Sequence, residues 1–130
     1  MAKKEKSSGV SPRRLEGVRV LLLEDEALVN MMLTEVMTDA GCSVMSCYDL
    51  EECHACIERA APDIGVLDVN VHGAMSFDLA KRLSELAVPV IFLTGYDTPD
   101  RDGVLKRHLT LQKPCAPDAL IEGIAKLLAR

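Results

Sequence analysis

No apolar run in this 130-residue chain approaches the roughly 20 residues that a membrane-spanning helix needs. The N-terminus also lacks the apolar stretch of a signal peptide, so a cytoplasmic protein with no membrane partner is the expectation. The five cysteines (Cys42, Cys47, Cys53, Cys56, Cys115) form no even framework, which points to reduced thiols rather than a disulfide scaffold. Cys53-His54-Ala55-Cys56 has the spacing of a metal or redox pair. It lies inside a predicted helix with no second ligand pair, so its cysteines read as helix-face residues packing like small hydrophobes. There is no internal repeat. Only Gly73 and Gly95 stand near predicted strand ends, and neither has the spacing of a P-loop or dinucleotide loop.

Charge narrows the partners further. Residues 1–17 carry five basic and two acidic residues, a net +3, which leaves −8 on the rest of a chain whose total is −5. An acidic body of this kind is not built to bind nucleic acid directly. The basic segment 1–17, with Ser7-Ser8-Gly9 and Ser11-Pro12, reads as a flexible lead-in. Residues 18–130 read as one domain, long enough to bury a real core.

Within that domain, strand and helix patterns alternate five times, the signature of βαβ units around a parallel sheet. Residues 18–24 form a nearly continuous apolar run, as a central strand covered on both faces requires. Leu28, Met32, Val36 and Ala40, with Val29 and Leu33 beside them, recur at helical spacing and predict an amphipathic helix stopped by Gly41. Residues 42–48 read as the second strand, and a helix follows from an Asp49 N-cap to Ala61. Ile64–Asp68 is the third strand, 77–86 a helix, and Pro89 opens the fourth strand. Residues 97–108 predict a weak helix that contains Gly103. Leu109–Gln112 is the fifth strand, and the last helix spans 117–128 with Leu120, Ile124, Leu127 and Leu128 on one face. The pattern fits an α/β, doubly wound, five-stranded parallel sheet in the order 2-1-3-4-5, with a ligand site at the switch between strands 1 and 3.

Four polar pieces fall where these strands end: Glu24-Asp25-Glu26, Asp68, Thr94 and Lys113-Pro114. In an open parallel sheet, ligands bind outside the carboxyl ends of the strands, so these side chains should converge. Three carboxylates brought together in a partly desolvated cleft repel one another unless a cation joins them. Mg²⁺ suits such a site, since it takes one or two carboxylates plus phosphate oxygens. Asp68 is placed to attack phosphorus, and Lys113 and Thr94 can offer a positive charge and a hydroxyl to phosphoryl oxygens. Singly, each piece has a plainer reading: acidic residues at a helix start, a turn threonine, or a lysine before a helix-opening proline.

In order and spacing, these pieces resemble the CheY-like receiver domain of two-component response regulators over residues 18–130. The resemblance implies that Asp68 is the phosphoacceptor and that Asp25, Asp68 and the backbone carbonyl of Asn70 bind Mg²⁺, with Glu24 acting mainly through water. It implies that Lys113, ahead of a cis proline, and Thr94 hold the phosphoryl group, and that Asn70 and Tyr96 tune its lifetime. It further implies a histidine kinase or phosphotransfer protein as donor. The face made by the fourth helix, fifth strand and fifth helix would control an unidentified protein target, as a monomer or a phosphorylation-linked dimer. Such a domain catalyses only its own phosphorylation and dephosphorylation. A haloacid-dehalogenase-type phosphatase fits less well, because its second acid, two residues after the first, is here Asn70.

The chain departs from the family in two places. Thr110 stands where many receivers carry Tyr or Phe three residues before the lysine, and Tyr96 is the best substitute for that aromatic. Cys115 stands where an aromatic often follows Lys-Pro. Phe92-Leu93-Thr94-Gly95-Tyr96 resembles a subgroup common among single-domain alphaproteobacterial regulators, whereas residues 15–20 resemble linkers ahead of receivers in hybrid kinases. Both a standalone protein and a detached receiver stay open. So does a receiver-fold binding module that works without phosphorylation.

Overall fold

The computed structural model describes residues 14–95 and 103–129. The main sheet contains β1 (Arg19–Leu23), β2 (Ser43–Cys47), β3 (Ile64–Asp68), β6 (Val90–Thr94) and β7 (Leu109–Gln112), all parallel, in the order β2-β1-β3-β6-β7. This is the predicted 2-1-3-4-5 order, with a small hairpin inserted after β3. The hairpin strands are β4 (Asn70–Val71) and β5 (Ala74–Met75). The four α-helices among the described residues are α1 (Ala27–Asp39), α2 (Leu50–Arg59), α3 (Phe77–Glu85) and α4 (Pro117–Leu127).

Alternation along β1 explains why its sequence is apolar throughout. Val20 and Leu22 join one core cluster with Leu33, Met37, Leu120 and Ile124 from α1 and α4. Leu21 and Leu23 join the other with Cys53, Ile57, Leu79 and Leu83 from α2 and α3. Both faces of the strand are therefore buried, as parallel sheets demand. Asp49 caps α2 by accepting from the Glu52 backbone N–H at 2.8 Å, and Glu52 reaches back to the Tyr48 N–H at 2.6 Å.

Three details differ from the sequence expectations. The core side of α1 is Asn30, Leu33 and Met37, not the row that begins with Leu28 and Met32, which are 78% and 53% exposed. The helix is apolar on most of its circumference, so periodicity alone could not choose a face. In α4, Leu127 is exposed while Ile121 and Ala125 are buried beside Leu120 and Ile124. The weak helix expected over 97–108 lies partly outside the described residues. From Gly103 onward it is a turn and a short 3-10 helix, Leu105–Arg107, because Gly103 has φ +70, which an α-helix cannot contain.

Residues 14–17, grouped by composition with the basic lead-in, form a turn that packs on the body. Leu15 is fully buried, its N–H donates to Ala40 O at 2.8 Å, and Arg14 pairs with Glu122. The contact requires glycine at 41. Its φ is +103, and a Cβ there would lie 2.7 Å from the Glu16 Cα. Gly41→Ala is expected to lower stability by about 2–3 kcal/mol, read as a shift in urea midpoint.

Candidate functional site

Strand register builds the site. Leu23 pairs with Leu67, so Glu24 and Asp68 occupy the next places on neighbouring strands. Asp68 pairs in turn with Leu93, and Thr94 with Gln112. Lys113 follows directly, its N–H donating to Thr94 O at 2.8 Å, and the Lys113–Pro114 peptide is cis as the resemblance implied.

The charged groups do converge. Lys113 Nζ donates to Glu24 Oε1 at 3.1 Å and to Asp68 Oδ2 at 3.2 Å. Glu24 is fully buried, and its other carboxylate oxygen accepts from the Glu26 N–H at 2.9 Å. Asp25 accepts from the His72 N–H at 3.1 Å. Glu24, Asp25 and Asp68 each bring one carboxylate oxygen to within 4.8 Å of the others, the one such acidic cluster of its kind among the described residues.

Electrostatics report the crowding. Burial, and to a lesser degree the charges of Glu24 and Asp25, raise the Asp68 carboxyl from 3.8 to about 6 against the opposing pull of Lys113. For Lys113, burial disfavours the ammonium, but the bond to Glu24 and the Asp68 charge outweigh it and the pKa is raised. Lys113 thus bonds two of the three carboxylates and Asp25 is held by the His72 N–H, so among the described residues the cluster carries more carboxylate than lysine charge. A divalent oxygen-seeking cation fits that donor set.

The remaining predicted residues fall as follows. Thr94 is the last residue of β6 and half-buried, one place along from Leu93, which pairs with Asp68. Asn70 opens β4, and its side-chain oxygen accepts from the Gly73 N–H at 3.0 Å. Thr110 is exposed on β7, so the outer position of that strand carries a hydroxyl where an aromatic was absent from sequence. Tyr96 lies outside the described residues. Cys115 is half-buried, and burial raises its pKa.

Three supporting features lie outside the sequence expectations. Asn30, buried at 1% exposure, donates to Glu24 O at 3.0 Å and to Cys47 O at 3.2 Å, tying the ends of β1 and β2 together. Thr34 and Ser46 donate to its side-chain oxygen. A lone amide among apolar neighbours was the available signal. Ser76, fully buried, donates to Asp68 O at 2.7 Å and so holds the strand end. His72 and Gly73 turn the β4–β5 hairpin with φ +52 and +84, the left-handed geometry of a tight two-residue connection. That turn brings the His72 N–H to Asp25. His-Gly after a strand was its sequence mark.

Comparison with known proteins agrees with this geometry. Residues 20–125 match the response regulator receiver domain. The chain is 34% identical over 124 residues to the transcriptional regulatory protein TcrA of Mycobacterium tuberculosis, covering 90% of this chain and 48% of that protein. It is 29% identical over 121 residues to the phosphate regulon transcriptional regulatory protein PhoB of Pseudomonas aeruginosa, covering 88% and 53%. The chain therefore spans about half the length of these curated relatives. A response regulator structure from Chloroflexus aurantiacus superimposes with a TM-score of 0.78 at 25% identity, covering 88% of this chain and all of that one. No described helix is long and apolar enough to cross a membrane.

Proposed function

The chain belongs to the response regulator receiver domain family of two-component signalling, and from that premise we propose that it accepts a phosphoryl group on Asp68 in a Mg²⁺-dependent reaction. The observation that carries the reading is the pairing of a nearly buried strand-end carboxylate with Lys113 Nζ at 3.2 Å, beside two further carboxylates. A free Asp68 oxygen attacks phosphorus in line. The new oxygen–phosphorus bond forms as the donor's bond to phosphorus breaks, leaving an acyl phosphate on Asp68.

Glu24, Asp25 and Asp68, with the Asn70 backbone carbonyl, would hold Mg²⁺. When bound, Mg²⁺ screens the repulsion between the attacking carboxylate and an anionic donor. Lys113 offers its ammonium to a phosphoryl oxygen, and Thr94 its hydroxyl to another. Ser76 and Asn30 keep the strand ends in place. Asn70, which opens β4, tunes the lifetime of the adduct, and the resemblance to receivers gives Tyr96 a share in that role. The donor is a histidine kinase or phosphotransfer protein, and the output a change on the face around β7 and α4 that a protein target reads. Thr110 leaves β7 without a switching aromatic, and Tyr96 is the best substitute for it in the sequence.

The test is intact mass after incubation with acetyl phosphate, with and without Mg²⁺. One phosphoryl adduct that needs Mg²⁺ is the expected result. No adduct together with no beryllofluoride binding would favour a phosphorylation-independent binding module. Repeated turnover of a small phosphate ester would favour a phosphatase.

A further inference from the structure

At the end of β2, the Cys47 sulfur lies 3.6 Å from that of Cys56 on α2. Cys47 is 1% exposed and Cys56 half-buried, so a reagent in solution reaches Cys56 first. Arg59 donates to the Cys56 sulfur at 3.4 Å, a contact that favours its thiolate. We propose that Cys47 and Cys56 form a redox site, closing to a reversible intramolecular disulfide on exchange with a small disulfide. The sulfurs must approach by about 1.5 Å to reach bonding distance.

The chemistry balances in two exchanges. The Cys56 thiolate attacks one sulfur of the small disulfide, forming a mixed disulfide and releasing one thiol. Cys47 then attacks the Cys56 sulfur, forming the protein disulfide and releasing the second thiol, so two protein thiols are oxidised and one disulfide is reduced. Hydrogen bonding to Cys53 and burial push the Cys47 pKa up, and burial does the same for Cys56.

Position gives the bond a consequence. The Cys47 carbonyl accepts from the Glu24 N–H at 3.1 Å and from the Asn30 amide at 3.2 Å, so the residue that would be oxidised also holds the acidic end of β1. Closing the disulfide pulls this carbonyl toward α2 and slows phosphoryl uptake by Asp68 by about threefold, a step of about 0.65 kcal/mol. That consequence rests on the phosphoacceptor reading; the disulfide itself does not.

The experiment treats the full chain, on a Cys115→Ser background, with oxidised glutathione and reads intact mass and non-reducing peptide maps. Loss of two hydrogens, a crosslink between Cys47 and Cys56, and reversal by dithiothreitol are expected. Cys47→Ala should instead retain one glutathione on Cys56. A Cys53–Cys56 crosslink, or stable glutathione on Cys56 with Cys47 present, overturns the pairing. Acetyl phosphate uptake is then compared between the reduced and oxidised forms. Equal uptake removes the coupling and leaves the redox site, whereas no uptake by the reduced form counts against the phosphoacceptor reading alone.

Discussion

Asp68→Asn is expected to take up no phosphoryl group from acetyl phosphate, with or without Mg²⁺, and to be more stable than the wild type near neutral pH without divalent cations. The first effect follows from losing the nucleophile, since an amide oxygen does not form a stable phosphoryl adduct. The second follows from the crowding of charge. The Asp68 carboxyl is raised from 3.8 to about 6 by burial and its acidic neighbours. A group raised in the folded state contributes its full stability below about pH 4, and that contribution is lost as pH rises through about 6. The loss amounts to about 2–3 kcal/mol, and an uncharged asparagine avoids it. Urea unfolding across this range should show the wild type falling in stability where Asp68→Asn stays level. Divalent cations should remove the difference by stabilising the wild type. A mutant less stable than the wild type at neutral pH would mean that the carboxylate is held by hydrogen bonds stronger than its desolvation.

Lys113→Ala removes the one ammonium among the described residues in contact with Glu24 and Asp68. Phosphoryl uptake should fall by at least about tenfold, the scale of one charge-assisted contact to the transferred group. Without divalent cations the variant should also lose about 1–3 kcal/mol at slightly alkaline pH, because breaking a mostly buried ion pair leaves uncompensated carboxylates. The sign of the pH dependence is set by both groups. The raised Lys113 pKa keeps the ammonium charged, so its contribution lasts through neutral pH and is lost only above its ordinary value of 10.5, as pH rises through the raised one. Asp68, stripped of the lysine, takes up a proton more readily on acidification. The defect should therefore be smaller at pH 5, below the value of about 6 through which Asp68 protonates, and shrink again on adding Mg²⁺. An equal loss at both pH values would assign the effect to packing of the lysine stem rather than to its charge.

Much of the site is legible because its residues sit at strand ends. Alternating strand and helix patterns place Glu24, Asp25, Asp68, Thr94 and Lys113 at one edge of a parallel sheet, and register then does the rest. The helix stop at Gly41 and the cap at Asp49 were readable for the same local reason, since one residue's backbone or side chain decides each. The face of α1 was not readable. Leu28, Met31 and Met32 look as suited to a core as Leu33 and Met37, and only docking against the sheet exposes the first three. Asn30 belongs to that same choice, because its amide finds partners only where the ends of β1 and β2 meet.

What the sequence by itself determined was the sheet, its order and the chemical inventory of one edge, since periodicity and turn residues are local properties of the chain. What only the tertiary structure decided was how that inventory is wired. The bonds from Lys113 to two carboxylates, from Ser76 to the Asp68 carbonyl and from His72 to Asp25 each join segments distant in sequence or turned back by a hairpin. The nearness of Cys47 to Cys56 likewise depends on α2 lying against β2. Such contacts depend on distances between elements, and no periodicity within an element encodes them.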